Sequence, residues 1–129
     1  MLYLFQESQK IGGDMNLYYS TMFEFLVEDL MRDKSLDLGF SFTGVGRWWH
    51  KEREIDLVAL GDEITGFFEV KWGALGLRDS MRVLADLVEK SEYTGYRSKQ
   101  SRYGLIAGEI RGKEKLRDEG FICYDLTDL

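Results

Sequence analysis

The stretch over residues 54–72, EIDLVALGDEITGFFEVKW, constrains the fold more than any other part of the chain. Two runs rich in Val, Ile, Leu and Phe flank Gly61-Asp62, a pair suited to a tight turn because glycine tolerates positive φ at low cost. The pattern predicts a β-hairpin. With Gly61 and Asp62 as the loop, Leu60 faces Glu63, Val58 faces Thr65, Asp56 faces Phe67 and Glu54 faces Glu69. Cross-strand partners share one side of a sheet, as do residues two apart on a strand. Asp56, Glu69 and Lys71 then lie on one face. Ile55, Leu57, Ala59, Ile64, Phe68 and Val70 line the other, the expected core, with Gly66 as its gap.

In this register Asp56 is the diagonal neighbour of Glu69, at about 7–8 Å, close enough for both carboxylates to reach one divalent ion. Two acids and a lysine on a partly apolar face are costly to bury unless they neutralise one another or hold a cation. The same spacing also suits a solvated face carrying a Glu54–Lys71 or Asp56–Lys71 ion pair. One cysteine, Cys123, and one histidine, His50, leave neither an internal disulfide nor a Cys/His zinc framework. Any metal here would be a hard cation on oxygen ligands. Cys123 sits in a terminal apolar run and reads as a small buried side chain.

A chain of 129 residues fits one domain, residues 1–129, with residues 1–13 as a lead-in or linker. No apolar run has transmembrane length, and the start lacks the basic flank and cleavage site of a signal peptide, so a cytoplasmic protein without membrane attachment is expected. The net charge of −6 does not mark the whole surface for nucleic acid. Basic segments occur locally, over residues 47–53 and 90–102.

Apolar residues Tyr19, Met22, Phe23, Leu26 and Leu30 recur at helical spacing over residues 17–32, after the possible N-caps Asp14 and Asn16. Glu24 and Glu28, four apart, share a flank that reads as a solvated helix side, although Glu24, directly after Phe23 on the core side, can also lean toward the sheet; Glu28 and Asp29 read as solvent-facing. Residues 40–49, broken by Gly44 and Gly46, suit a strand with a bend. Arg47-Trp48-Trp49-His50-Lys51 suits base stacking with phosphate contact, or a strand end with one buried and one half-exposed tryptophan. After the hairpin, Leu77, Met81, Leu84, Leu87 and Val88 predict a second helix to Lys90. The polar stretch that follows, with Lys90, Arg97, Lys99 and Arg102, reads as a helix end plus a loop contacting phosphates, or as a solvated connection. Residues 103–107 read as a buried strand, 113–119 as a short helix and 121–126 as a strand paired in parallel across it. The order is α-β-β-β-α-β-α-β in an α/β fold, a mixed sheet flanked by helices.

Glu24 on the first helix, Asp56 on the second strand and Glu69-Val70-Lys71 on the third resemble, in order, the motif of the PD-(D/E)XK nuclease superfamily. FEFLVEDL, RWWHKEREIDLVAL and FFEVKW look more narrowly like the nuclease-like domain at the C-terminus of archaeal ATPases. The ATPase part, with its phosphate-binding loop, is absent from this sequence, and Ile55 stands where the superfamily name has proline. The resemblance implies a restriction-endonuclease-like core and Mg²⁺- or Mn²⁺-dependent hydrolysis of phosphodiester bonds in DNA. It implies that Asp56, Glu69 and the Val70 carbonyl hold the metal, that Glu24 completes the site from the helix, and that Lys71 orients the attacking water and stabilises charge on the phosphate. It leaves open a non-catalytic module of the same fold that docks an ATPase domain or forms a homodimer.

Overall fold

The computed structural model describes residues 12–96 and 100–129. The elements are α1 (Gly12–Arg32), β1 (Gly44–His50), β2 (Arg53–Leu60), β3 (Ile64–Leu75), α2 (Leu77–Ser91), β4 (Gln100–Ile110), α3 (Lys113–Asp118) and β5 (Ile122–Tyr124). The strands form one mixed sheet in the order β1-β2-β3-β4-β5. β1, β2 and β3 pair antiparallel, and β3, β4 and β5 pair parallel. Helices α2 and α3 serve as the two crossover connections that parallel neighbours require.

Both faces of the sheet are buried. On one, Phe23, Val27 and Met31 of α1 pack on Leu57, Ala59, Phe68, Val70 and Ile106. On the other, Leu84 and Leu87 of α2 and Leu116 of α3 cover Ile55, Val58, Phe67, Leu105 and Ala107. The solvated sheet face allowed by the sequence is therefore replaced by a helix-covered one. The gap at Gly66 is filled by aromatic rings: a Cβ there would come within 2.6 Å of Phe40 and 2.7 Å of Phe68.

Several expectations are corrected. The lead-in over residues 1–13 falls mostly outside the described residues, but α1 already begins at Gly12, five residues before the expected start. Its buried stripe is Phe23, Val27 and Met31, whereas Tyr19, Met22 and Leu26 are 43%, 50% and 46% exposed. The helix is apolar over most of its circumference, so the stripe turned to the sheet is chosen by packing rather than by hydrophobicity alone. The first strand begins at Gly44 rather than residue 40, although Phe42 before it still packs into the core. Trp48 is half-buried and Trp49 is 68% exposed, which makes this end more open than the expected buried and half-exposed pair. Arg97 and Lys99 lie outside the described residues, and Gln100–Arg102, expected in a loop, open β4.

The hairpin register also differs by two residues. Leu60 pairs with Thr65 and Leu57 with Phe68, and residues 61–63 form the connection instead of Gly61-Asp62 alone. Gly61 is not one of the glycines with positive φ. It is needed for close approach, because a Cβ would meet the Ser41 carbonyl oxygen at 2.3 Å and that of Ile64 at 2.6 Å. A shift of two preserves the side on which each β3 residue lies. Extended by one residue, the observed pairing brings Asp56 opposite Glu69, where Glu54 was expected.

Candidate active site

Two bulges bracket the middle of the sheet. Between Gly46↔Val58 and Trp48↔Ile55, β1 has one residue and β2 has two, Asp56 and Leu57. The extra residue resets the alternation: Ile55 and Val58, three apart, join the same core cluster, while Leu57 joins the opposite one. Ile55 thus lies on the α2 face, not with Leu57 as the uninterrupted alternation predicts. On β3, Trp72 and Gly73 form a second bulge between Lys71↔Ala107 and Ala74↔Glu109. Gly73 has φ of 110°, and a Cβ on Gly108 would come within 2.8 Å of its carbonyl oxygen. This bulge carries Trp72 to α1, with ring centroids 5.4 Å from Phe23 and 6.0 Å from Tyr19.

The regular β2–β3 pairing ends at Leu57↔Phe68. Just beyond it, the Asp56 Oδ2 accepts the N–H of Val70 at 2.8 Å, so a side chain replaces a ladder hydrogen bond. The Asp56 carboxylate is thereby fixed where the strands part. From the α1 layer, Glu24 lies within hydrogen-bonding reach of Asp56. Burial, then the Asp56 charge, raise its pKa above the usual carboxylate value, against the pull of Arg47, whose Nη2 is 3.8 Å from Oε1. Glu24 and Glu69 each lie close enough to Asp56 for its charge to be felt.

Glu69 is buried at 5% exposure. Burial and then Asp56 raise its pKa, opposed by Lys90 and Lys71. The Lys71 Nζ is 3.7 Å from Glu69 Oε2, and its side chain is 45% exposed. The ion pair of Lys71 is therefore with Glu69, neither with Glu54 nor with Asp56. The other oxygen, Oε1, accepts a hydrogen bond from Lys90 Nζ at 3.3 Å. Lys90 also donates to the Glu54 carbonyl at 2.9 Å and lies 3.6 Å from Asp86.

Lys90 lies in the last turn of α2, the helix end expected from the sequence, with its ammonium turned to Glu69. It is the member of the cluster that sequence reasoning missed. The signal was present in its spacing: Lys90 follows Leu87 by three residues, which puts it on the sheet-facing side of α2. Cys123 lies apart from this cluster, almost wholly buried, and burial pushes its thiol up to about 11. It fits the packing role read from the sequence.

The donors that Asp56 and Glu69 offer are carboxylate oxygens, which suit a hard divalent cation. Among the described residues no group of three or more His, Cys, Asp and Glu residues is arranged to hold a metal ion. Two carboxylates supplemented by waters suffice for Mg²⁺, which keeps much of its hydration. Asp56 and Glu69, with mutual repulsion that a cation would relieve, fit that more modest requirement.

A family model described as archaeal and bacterial proteins of unknown function, DUF234, matches residues 4–83. The chain belongs to this family. The matched segment contains Glu24, Asp56, Glu69 and Lys71, but stops before Lys90. An uncharacterized protein of Methanocaldococcus jannaschii, MJECL04, is 34% identical to the DUF234 chain over 124 residues. The alignment covers 93% of this chain and 28% of that relative. No solved structure matches the chain.

Proposed function

We propose that this DUF234 chain is a metal-dependent endonuclease-like domain of the PD-(D/E)XK type, with a restriction-endonuclease-like core, hydrolysing phosphodiester bonds in DNA. The observation that carries this reading is the Asp56 carboxylate held at the parting strands, with Glu24 and Glu69 beside it and Lys71 paired to Glu69. Asp56, Glu69 and the Val70 carbonyl would hold Mg²⁺ or Mn²⁺, with Glu24 joining directly or through water. Such an ion supplies an acidified water and counter-charge for the phosphate in the transition state.

The chain's own residues have separable roles. Asp56 maintains the opening between β2 and β3 while its charge faces Glu24 and Glu69. Lys71, nearly half exposed, brings a positive charge that can orient water and attract a phosphate oxygen. Arg47 and the exposed Trp49 on edge strand β1 offer phosphate contact and a stacking surface for a nucleic acid.

The decisive assay is cleavage of supercoiled plasmid and single-stranded DNA in Mg²⁺, Mn²⁺ or EDTA, with Asp56→Asn and Lys71→Ala beside the wild type. Metal-dependent cutting lost in both variants supports the reading; equal cutting by all three overturns it. A second reading, a non-catalytic module that docks an ATPase domain or a second copy, is favoured by the open apolar face of α1, where Phe25 is 59% exposed beside Met22 and Leu26. That reading expects no metal-dependent cutting and no Mn²⁺ site.

A further inference from the structure

Lys90 stands beside the carboxylate cluster without a part in the chemistry proposed for it. Its side chain is only 17% exposed, yet its ammonium reaches Glu69 Oε1, the Glu54 carbonyl and Asp86. A long flexible side chain is ordered here at the end of α2, among groups from β2, β3 and its own helix. With Lys71 at Oε2 and Lys90 at Oε1, both oxygens of Glu69 face a cation. The buried carboxylate therefore has its neutralising charge without any metal.

A divalent ion that takes Glu69 must compete with this arrangement. The geometry also keeps a second acid beside Lys90: Asp86 Oδ2 is already 3.6 Å from its ammonium. Asp86 lies one helical turn before it, with a 65% exposed side chain. Together with Glu89, it lines a cleft of about 320 Å³ that Lys90 itself borders. Rotation of the lysine stem can free Glu69 while the ammonium stays beside Asp86, without unfolding α2.

We propose that Lys90 is an internal counter-ion for Glu69 that releases this carboxylate, and is retained by Asp86, when a divalent cation binds. The inference rests on Glu69 being a metal ligand, as proposed above. It assigns Lys90 a positioning role: the residue keeps Glu69 in place before metal arrives and sets how tightly metal binds. An ordinary structural ion pair would alter stability while leaving metal affinity unchanged.

Calorimetric titration of Mn²⁺ into the full chain tests this, using wild type, Lys90→Met and Lys90→Arg. Lys90→Met retains an apolar stem but removes the competing charge; Lys90→Arg retains the charge. Removing the competitor is expected to tighten the Mn²⁺ Kd by about three- to tenfold, while Lys90→Arg gives no tightening. Lys90→Gln, with far-UV circular dichroism on every variant, provides a second neutral substitution should the methionine variant misfold. If wild type binds Mn²⁺ and neither neutral variant binds more tightly, the counter-ion role is overturned while the metal site stands. Absence of binding in all four proteins overturns both.

Discussion

The Asp56 side chain accepts the backbone N–H of Val70 at 2.8 Å, across the place where β2 and β3 part. One carboxylate therefore has a structural duty on Oδ2 as well as a charge directed toward Glu24 and Glu69. The two duties can be separated. Asp56→Asn retains an oxygen acceptor for Val70, whereas Asp56→Ala leaves that N–H without this partner, costing about 1–3 kcal/mol. Thermal unfolding is expected to show the alanine variant less stable than the asparagine variant, while plasmid cutting is lost in both. An asparagine variant with full cutting would remove Asp56 from the chemistry.

Lys71 presents the opposite balance. Its ion pair with Glu69 is half exposed and contributes little to stability, about 0–1 kcal/mol. If its charge acts on the phosphate, Lys71→Met should reduce cutting by about 100-fold or more. Chemical denaturation run beside the cleavage assay distinguishes these effects: a large loss of activity with an almost unchanged midpoint is expected.

Glu24 and Glu69 both have raised pKa values, first from burial and then from the neighbouring Asp56 charge. A carboxyl group with a folded-state value above its unfolded one binds its proton more tightly in the folded protein. Its stabilising contribution is present below the ordinary value of 4.5 and is lost as pH rises through the raised folded value. Metal-free protein should consequently lose stability over that interval. Mn²⁺ should recover it above the interval, and melting temperatures with Mn²⁺ and with EDTA measure the difference.

The C-terminal carboxylates act in the reverse direction. Asp125 accepts hydrogen bonds from Lys113 Nζ at 2.9 Å, from the Ile110 N–H at 3.0 Å and from the Thr127 N–H at 3.1 Å. Burial alone would raise its pKa, but the Thr127 hydroxyl, the Ile110 N–H and Lys113 hold it well below the usual value. Its contribution is therefore present above the ordinary value of 3.8 and lost as pH falls toward the depressed one. Asp125→Ala is expected to cost about 2–4 kcal/mol at neutral pH and to flatten the acid limb of the stability profile. Urea unfolding at several pH values checks both.

The parts of this molecule readable from sequence are those with a local cause. The β-branched and aromatic arms of the hairpin announce β2 and β3, and the stretch around Leu105 announces a strand buried on both faces. Glu24, Asp56, Glu69 and Lys71 could be brought together because residue alternation and helix spacing are short-range rules. The register was obscured because Gly61-Asp62 resembles a two-residue turn, whereas Gly61 is selected by the carbonyl of distant Ser41. The orientation of α1 was obscured because Met22 and Leu26 are as apolar as Val27 and Met31. The bulge at Asp56 depends on pairing with β1, and the partner of Lys90 lies 21 residues earlier in the chain, so neither follows from local pattern alone.

Gly104 provides a test of how tightly the sheet beneath the site is built. It pairs with Phe68 on β3 and Ile122 on β5. A Cβ there would lie 2.6 Å from the Phe68 ring and 2.7 Å from the Ile122 carbonyl oxygen. The ring belongs to the packed core, and the carbonyl is backbone, so neither contact can relax by moving a flexible side-chain end. Gly104→Ala is expected to destabilise the protein by about 1–3 kcal/mol through overpacking. Because Phe68 is next to Glu69, any relaxation of the ring should also loosen the Mn²⁺ site. Calorimetry on this variant, at a temperature where it remains folded, should find weaker Mn²⁺ binding; wild-type affinity beside a lowered melting temperature would mean that the strain stops at Phe68.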